Sequence, residues 1–396
     1  MNVLDLKVPF NQPYLTGNEI SYIQTAIEQN HLSGDGCFTK KCQAWLEQNV
    51  KCKKAVLVPS CTAALEMAAI LINIQPGDEV ILPSYTFVTT ASAFVLRGAI
   101  PVFVDIRPDT MNIDENKIQA AITNKTKAIV VVHYAGVACA MDKIMDISKQ
   151  HNLYVIEDAA QALMSSYKGK PLGSIGHLST FSFHATKNII SGEGGALCIN
   201  DAEFMHRADI VREKGTNRKQ FLDGQVDKYT WLELGSSYLL NEISAAFLYA
   251  QFEHAAQITL RRLEIWRKYH DEFSILCNQK VMRPLIPEEC QHNAHIYYLL
   301  LPNKETKIKI MDYCNSRGIS TVSHFVPLHD TLAGKQYGRT HGDLQTTHDI
   351  SEKILRLPLW IGLEIKQDGV IAIVVEAIKL YVEEQALQHV SLMGEI

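Results

Sequence analysis

Three stretches of the chain set reactive side chains directly after apolar runs. Lys187 stands in Phe181-Ser182-Phe183-His184-Ala185-Thr186-Lys187-Asn188, just ahead of the turn Gly192-Glu193-Gly194-Gly195. A lysine in apolar surroundings has a depressed pKa, so its neutral amine can attack a carbonyl. Taken alone, the same residue reads more readily as a surface lysine with its stem laid along apolar neighbours. Asp158 closes the run Leu153–Asp158 and precedes Ala159, Ala160 and Gln161. A carboxylate leaving a buried strand is costly without a cationic partner. A bound cationic ring would be one; a helix N-cap is the plainer use. Ser60-Cys61-Thr62-Ala63-Ala64-Leu65 opens a helical pattern, where hydroxyls and free amides at the positive helix end can hold a phosphate. A simple N-cap is again the alternative. Pro83-Ser84-Tyr85-Thr86-Phe87 offers an aromatic face after another apolar run, a pattern more often used for core.

These groups need a scaffold, and the chain supplies one. Short runs rich in Val and Ile recur at 55–58, 80–82, 101–104, 128–132, 153–157, 179–183 and 196–199, bounded by Gly, Pro, Asp or Asn. Strands buried on both faces read this way. Helical patterns at 63–73, 118–122 and 141–150 lie between them, so the fold class is α/β with a mostly parallel, seven-stranded sheet. Catalytic groups in such sheets lie at the carboxyl ends of strands, where Lys187, Asp158 and Ser60 fall. Residues 242–270 lack Gly and Pro and predict one long helix into a second unit. That divides the chain into a large domain over 1–250 and a smaller α+β domain over 251–396. The smaller unit has a strand-like run at 296–301, a helical pattern at 307–317 and a last amphipathic helix near 368–384.

Composition narrows the function classes. With 47% hydrophobic and 20% charged residues over 396 positions, the chain can fill the cores of two ordinary domains. Its net charge of -5, with no basic stripe, argues against nucleic acid. Residues 1–10 lack the pattern of a signal peptide, and no apolar run reaches the roughly 20 residues of a membrane span. A cytoplasmic location is expected. The nine cysteines contain no Cys-x-x-Cys pair, so no metal site is expected.

The joint order of these motifs is more specific than any one of them. From Ser60–Leu65 through Glu157–Ala162 and Phe181–Asn188 to Glu193–Ala196, the chain resembles the DegT-type sugar-nucleotide aminotransferases nearly end to end. These are fold-type-I enzymes dependent on pyridoxal 5'-phosphate (PLP). The resemblance implies that Lys187 holds the cofactor as a Schiff base and that Asp158 pairs with its ring nitrogen. It places Gln161 beside the ring hydroxyl, Phe87 on the ring face, and Cys61, Thr62, Ala63 and Ser182 around the phosphate. His184, His329, Tyr134 and Lys214 fall in stretches that face the sugar. Ser237 stands where the family commonly has an Asn reaching the phosphate of a partner subunit, which implies a homodimer with shared active sites. Arg212-Glu213-Lys214-Gly215 likewise replaces the usual Arg-x-His-Gly, so the contacts between subunits differ in detail.

The stretches 83–99, 107–115, 133–142, 214–218 and 224–231 most resemble the branch that aminates dTDP-4-keto-6-deoxyglucose with L-glutamate. That branch yields dTDP-4-amino-4,6-dideoxygalactose for surface polysaccharide. The gluco epimer and a 3-amino sugar are the alternatives within this chemistry. A non-catalytic regulator on the same fold, and a dehydratase in which histidine replaces the lysine, are alternatives outside it. Lys187 opposes both.

Overall fold

The computed structural model describes residues 7–393, the side chains of 277–279 and 383–393 excepted. All seven expected strands are present: β1 (Lys54–Val58), β2 (Glu79–Pro83), β3 (Ile100–Val104), β4 (Thr126–Val132), β5 (Tyr154–Asp158), β6 (Leu178–Ser182) and β7 (Gly195–Ile199). A strand-like pair over 297–300, β8 (Tyr297–Leu300), comes next, then β9 (Arg339–Thr340) and β10 (Ile354–Leu357). The main sheet runs β1-β7-β6-β5-β4-β2-β3-β9. Every pairing from β6 to β9 is parallel, whereas β7 is antiparallel to both its neighbours.

Both faces of the sheet are covered, which is why its strands read as unbroken apolar runs and not as alternating ones. Leu57, Ile81, Val131 and Val155 face a layer holding helices Cys37–Val50, Met141–His151 and Glu242–Glu253. Val58, Leu82, Val130 and Ile156 face the other layer, built on helices Cys61–Leu71, Thr89–Val95 and Glu203–Arg212. Each of these side chains is at most 1% exposed, so each contributes about 1.5–3 kcal/mol of burial.

Three features differ from the sequence reading. The sheet has an eighth strand, because the two-residue β9 adds beside β3, too short to leave a periodic pattern. The expected helix over 242–270 is two, Glu242–Glu253 and Ala255–Glu272, broken at His254 (φ -109°, ψ 9°). The break has a packing reason: the first half buries Leu248 and Phe252 against the sheet, and the second buries Ile265, Trp266 and Tyr269 in a separate core. That core gathers Tyr297 and Leu299 of β8, Leu355 and Leu357 of the antiparallel β10, and Val374 of the last helix, Gln367–Met393. This helix begins where expected and runs past residue 384. Among the described residues no helix is long and apolar enough to cross a membrane.

Candidate active site

A cavity of about 500 Å³ opens at the carboxyl ends of β5 and β6, between the sheet and the β8–β10 layer. Its wall includes Cys61, Thr62, Phe87, Asp158, Gln161, Ser182, His184 and Lys187, eight residues named from the sequence.

The phosphate-type cradle forms at the start of helix Cys61–Leu71. Ser60 is extended (φ -162°, ψ 163°) and its Oγ accepts from the Ala63 amide at 3.1 Å. Ala63 thus spends its amide on the cap, while Cys61 and Thr62 border the cavity. The cradle depends on Gly195 at the start of β7. A Cβ there would stand 2.3 Å from the Ser60 carbonyl carbon and 2.5 Å from the Cys61 nitrogen. Burial pushes the Cys61 thiol up, so it is a neutral wall group and not a nucleophile.

Glu157 and Asp158 are neighbours on β5 with opposite roles, because successive strand residues face opposite sides. Glu157 accepts from His133 Nε2 at 2.9 Å and from the amides of Gly173, Ile175 and Gly176 at 2.8, 2.8 and 2.6 Å. Burial opposes its ionisation, but His133 and these amides outweigh that and hold its pKa below the ordinary value. Among the described residues Asp158 accepts only from Thr90 Oγ1 (2.8 Å) and the Ala160 amide (3.2 Å). Burial dominates there and raises its pKa. Asp158 is therefore a buried carboxylate on the cavity wall with no ion pair among the described residues.

Lys187 lines the same cavity from the loop after β6. Burial lowers its pKa, and the charge of Arg356 lowers it further, against the raising influence of Cys61 and Asp158. Its amine is thereby shifted toward the nucleophilic neutral form. Gln161 borders the cavity and is fixed by its Oε1, which accepts from the Ala135 amide at 2.7 Å. Phe87 is 56% exposed at the mouth, 6.4 Å ring to ring from Phe325.

Five named residues lie outside the cavity wall, Ala63, with its amide on the cap, being the first. His329 faces Ser84, 2.6 Å from its Oγ through Nδ1. Tyr134 is buried behind the wall, with its hydroxyl 2.7 Å from His324 Nδ1. Lys214 and Ser237 lie on another segment, where the Lys214 amide donates to the Ser236 carbonyl and Glu213 bridges Ser237. Conversely, the sequence reading missed Thr86, Thr90, Arg262, His295, His324 and Arg356. Thr90 was within a quoted stretch, but nothing marked it as the partner of Asp158. Arg356 sits in an apolar strand of the second unit, with no motif around it.

The DegT/DnrJ/EryC1/StrS aminotransferase family profile matches residues 13–378. The chain belongs to this family. It is 33% identical over 319 residues to the GDP-perosamine synthase of Caulobacter vibrioides, covering 80% of this chain and 84% of that one. Helicobacter pylori PseC, an aminotransferase of pseudoaminic acid biosynthesis, superposes with a TM-score of 0.87 at 26% identity, covering 95% of this chain and 100% of its own. Spr1654 of Streptococcus pneumoniae, solved in a PLP form, gives 0.86 at 26% identity over 96% and 99%. The enzyme is a fold-type-I sugar-nucleotide aminotransferase that uses PLP.

The residues present fit that cofactor. Asp158 is a buried carboxylate lacking a cation, which a protonated ring nitrogen provides. Ser60–Thr62 presents hydroxyl and amide groups at a helix start that Gly195 leaves open. Bound PLP supplies the electron sink for the carbon that loses or gains a proton. With the cofactor bound, Asp158 would be placed to keep the ring nitrogen charged, Gln161 would be the candidate partner of the ring oxygen, and Lys187 would be the candidate acid and base for the proton transfer.

Proposed function

We propose that the enzyme moves the amino group of L-glutamate to C4 of dTDP-4-keto-6-deoxy-D-glucose. The products are dTDP-4-amino-4,6-dideoxy-D-galactose and 2-oxoglutarate, with the amino sugar destined for surface polysaccharide. The observation that supports the chemistry is that Lys187 and Asp158, a buried carboxylate with no ion pair among the described residues, line one cavity. The choice of sugar rests on the resemblance of the stretches 83–99, 107–115, 133–142, 214–218 and 224–231 to the galacto-forming branch. Lys187 can protonate either face of the sugar carbon, so the pose of the sugar sets the configuration. A preference of about 1.4 kcal/mol between poses changes the epimer ratio tenfold.

We assign Lys187 and Asp158 to catalysis and Cys61, Thr62, Ala63, Phe87, Gln161 and Ser182 to the cofactor. His184, 46% exposed at its side chain and on the cavity wall, faces the substrate. Lys214 and Ser237 serve a partner's site in a homodimer. The apolar Trp231, Leu232 and Leu234 of their segment, 75, 52 and 51% exposed, support a subunit contact there. Tyr134 and His329 act on the sugar from behind, Tyr134 through His324. The separate core around Tyr269 and Tyr297 supports two units, although residue 250 itself lies within helix Glu242–Glu253, which packs on the sheet.

The test is product NMR after incubation with glutamate and the dTDP-keto sugar. The galacto product has small proton couplings from the aminated carbon to both ring neighbours. Large couplings to both neighbours would mean the gluco epimer and would sink the assignment. A GDP-linked keto sugar is the control substrate, given the similarity to a GDP-perosamine synthase.

A further inference from the structure

Asn188, the residue after Lys187, spends its side chain on the turn that leads into β8. Its Nδ2 donates to the Asn293 carbonyl at 2.8 Å, and its Oδ1 lies 3.0 Å from His295 Nδ1. The first contact fixes the second. A backbone carbonyl only accepts, so the amide nitrogen must face Asn293 and the amide oxygen must face the imidazole. The amide oxygen also only accepts, so His295 Nδ1 carries a proton. The turn itself is anchored. The His295 carbonyl accepts from Arg262 Nη2 at 2.8 Å, and Asn293 Nδ2 donates to the carbonyls of Gln161 and Leu163 at 2.9 and 2.8 Å.

The other nitrogen of the ring is thereby decided. His295 is 8% exposed, and burial first and the neighbouring cations second push its pKa well below the ordinary value. With the proton on Nδ1 and the ring neutral, Nε2 keeps a bare lone pair. Nε2 has no protein partner among the described residues and is not sealed off, and His295 borders the cavity.

We infer that Asn188 sets His295 as a hydrogen-bond acceptor for a hydroxyl of the keto sugar. This rests on the sugar-aminotransferase chemistry but not on which sugar is used. A bare ring nitrogen takes an O–H or N–H and opposes an anion, so it does not serve a phosphate. The carboxylates of glutamate are excluded for the same reason. The amine of glutamate can donate, but it is the group that the reaction removes. A keto sugar keeps hydroxyls near its carbonyl from start to finish. A sugar hydroxyl is therefore the group that matches Nε2. Asn188 is the positioning residue, and His295 is the one that touches the sugar. Such a site rejects a deoxygenated sugar, because Nε2 is then left without a donor.

The test uses the full-length PLP-bound protein. Nitrogen NMR of ¹⁵N-histidine-labelled enzyme, with His295 assigned by its loss in His295→Phe, should show Nδ1 protonated and Nε2 bare. In Asn188→Ala the proton should spread to Nε2. Activity is read in halves, glutamate against the cofactor absorption band and keto sugar against the amine form. The sugars are the dTDP-linked and GDP-linked 4-keto-6-deoxy sugars and their analogues deoxygenated at C2 or C3. His295→Phe should raise the half-saturating sugar about tenfold or more and leave half-saturating glutamate within about threefold. Wild type should lose a similar factor with one deoxy analogue, and His295→Phe should lose nothing further with it. The inference is overturned if Nε2 carries the proton in wild type, or if glutamate saturation shifts and sugar saturation does not. It is also overturned if His295→Phe discriminates against the analogues as wild type does. Should His295→Phe fail to fold, the spectra assigned through His295→Gln and the wild-type analogue series decide. A protein that reacts with glutamate but aminates neither parent sugar contradicts the proposed substrate, and the nitrogen spectra still decide the His295 assignment.

Discussion

Glu157 and Asp158 show how one strand separates structure from chemistry. Both are buried carboxylates, but Glu157 is given four donors and Asp158 two. Because Glu157 has a folded pKa below its unfolded value, its contribution to stability is present above about pH 4.3 and is lost as pH falls through the folded value. Glu157→Gln should cost about 3 kcal/mol at pH 7, read as a lower denaturation midpoint, and should flatten the acid limb of the stability profile. An unchanged acid limb would contradict the role. Asp158→Asn should behave oppositely. It should fold with near-normal stability, since burial already disfavours the charge, yet lose on the order of 10²-fold or more in turnover. Asp158 was legible because it ended an apolar run. Its partner Thr90 was not, because the contact spans residues that no sequence pattern links.

The elements that place these residues were legible where burial leaves a signature. Seven strands buried on both faces could be read from Val and Ile runs. The direction of β7 could not, because an antiparallel strand with both faces covered has the same composition. The break at His254 was equally silent, since it is set by two cores competing for one helix and not by Gly or Pro. Gly195 was read as part of a loose glycine-rich turn. Its use is narrower: it lets β7 pass beneath the Ser60–Cys61 turn. Gly195→Ala should cost about 1–3 kcal/mol, and its larger effect should be weaker retention of PLP, measured by dialysis and absorbance. Ser60→Ala should cost about 1 kcal/mol through the lost cap. Tight cofactor binding by Gly195→Ala would show that the turn has room to move.

At the scale of the whole molecule, one chain builds a cavity but leaves two assigned residues away from it. Lys214 and Ser237 have a place in the chemistry only if a second copy brings them to the first copy's site. The protein should sediment as a dimer at assay concentration. Mixed and refolded Lys187→Ala and Lys214→Ala proteins should regain activity neither shows alone, because a hybrid dimer holds one intact site. An active monomer, or no complementation, would contradict the shared site. The sequence carried Lys214 and Ser237 only through resemblance, and it missed Arg356, whose place on the cavity wall depends on how β10 packs over the sheet.

The catalytic expectations depend on Lys187 as the residue that takes the cofactor. Borohydride reduction of the PLP-bound protein, followed by peptide mass analysis, tests this most directly. The label should fall on the peptide containing Lys187, and Lys187→Ala should fold, remain unlabelled and show no turnover. A label on any other lysine, or turnover without Lys187, would contradict the account.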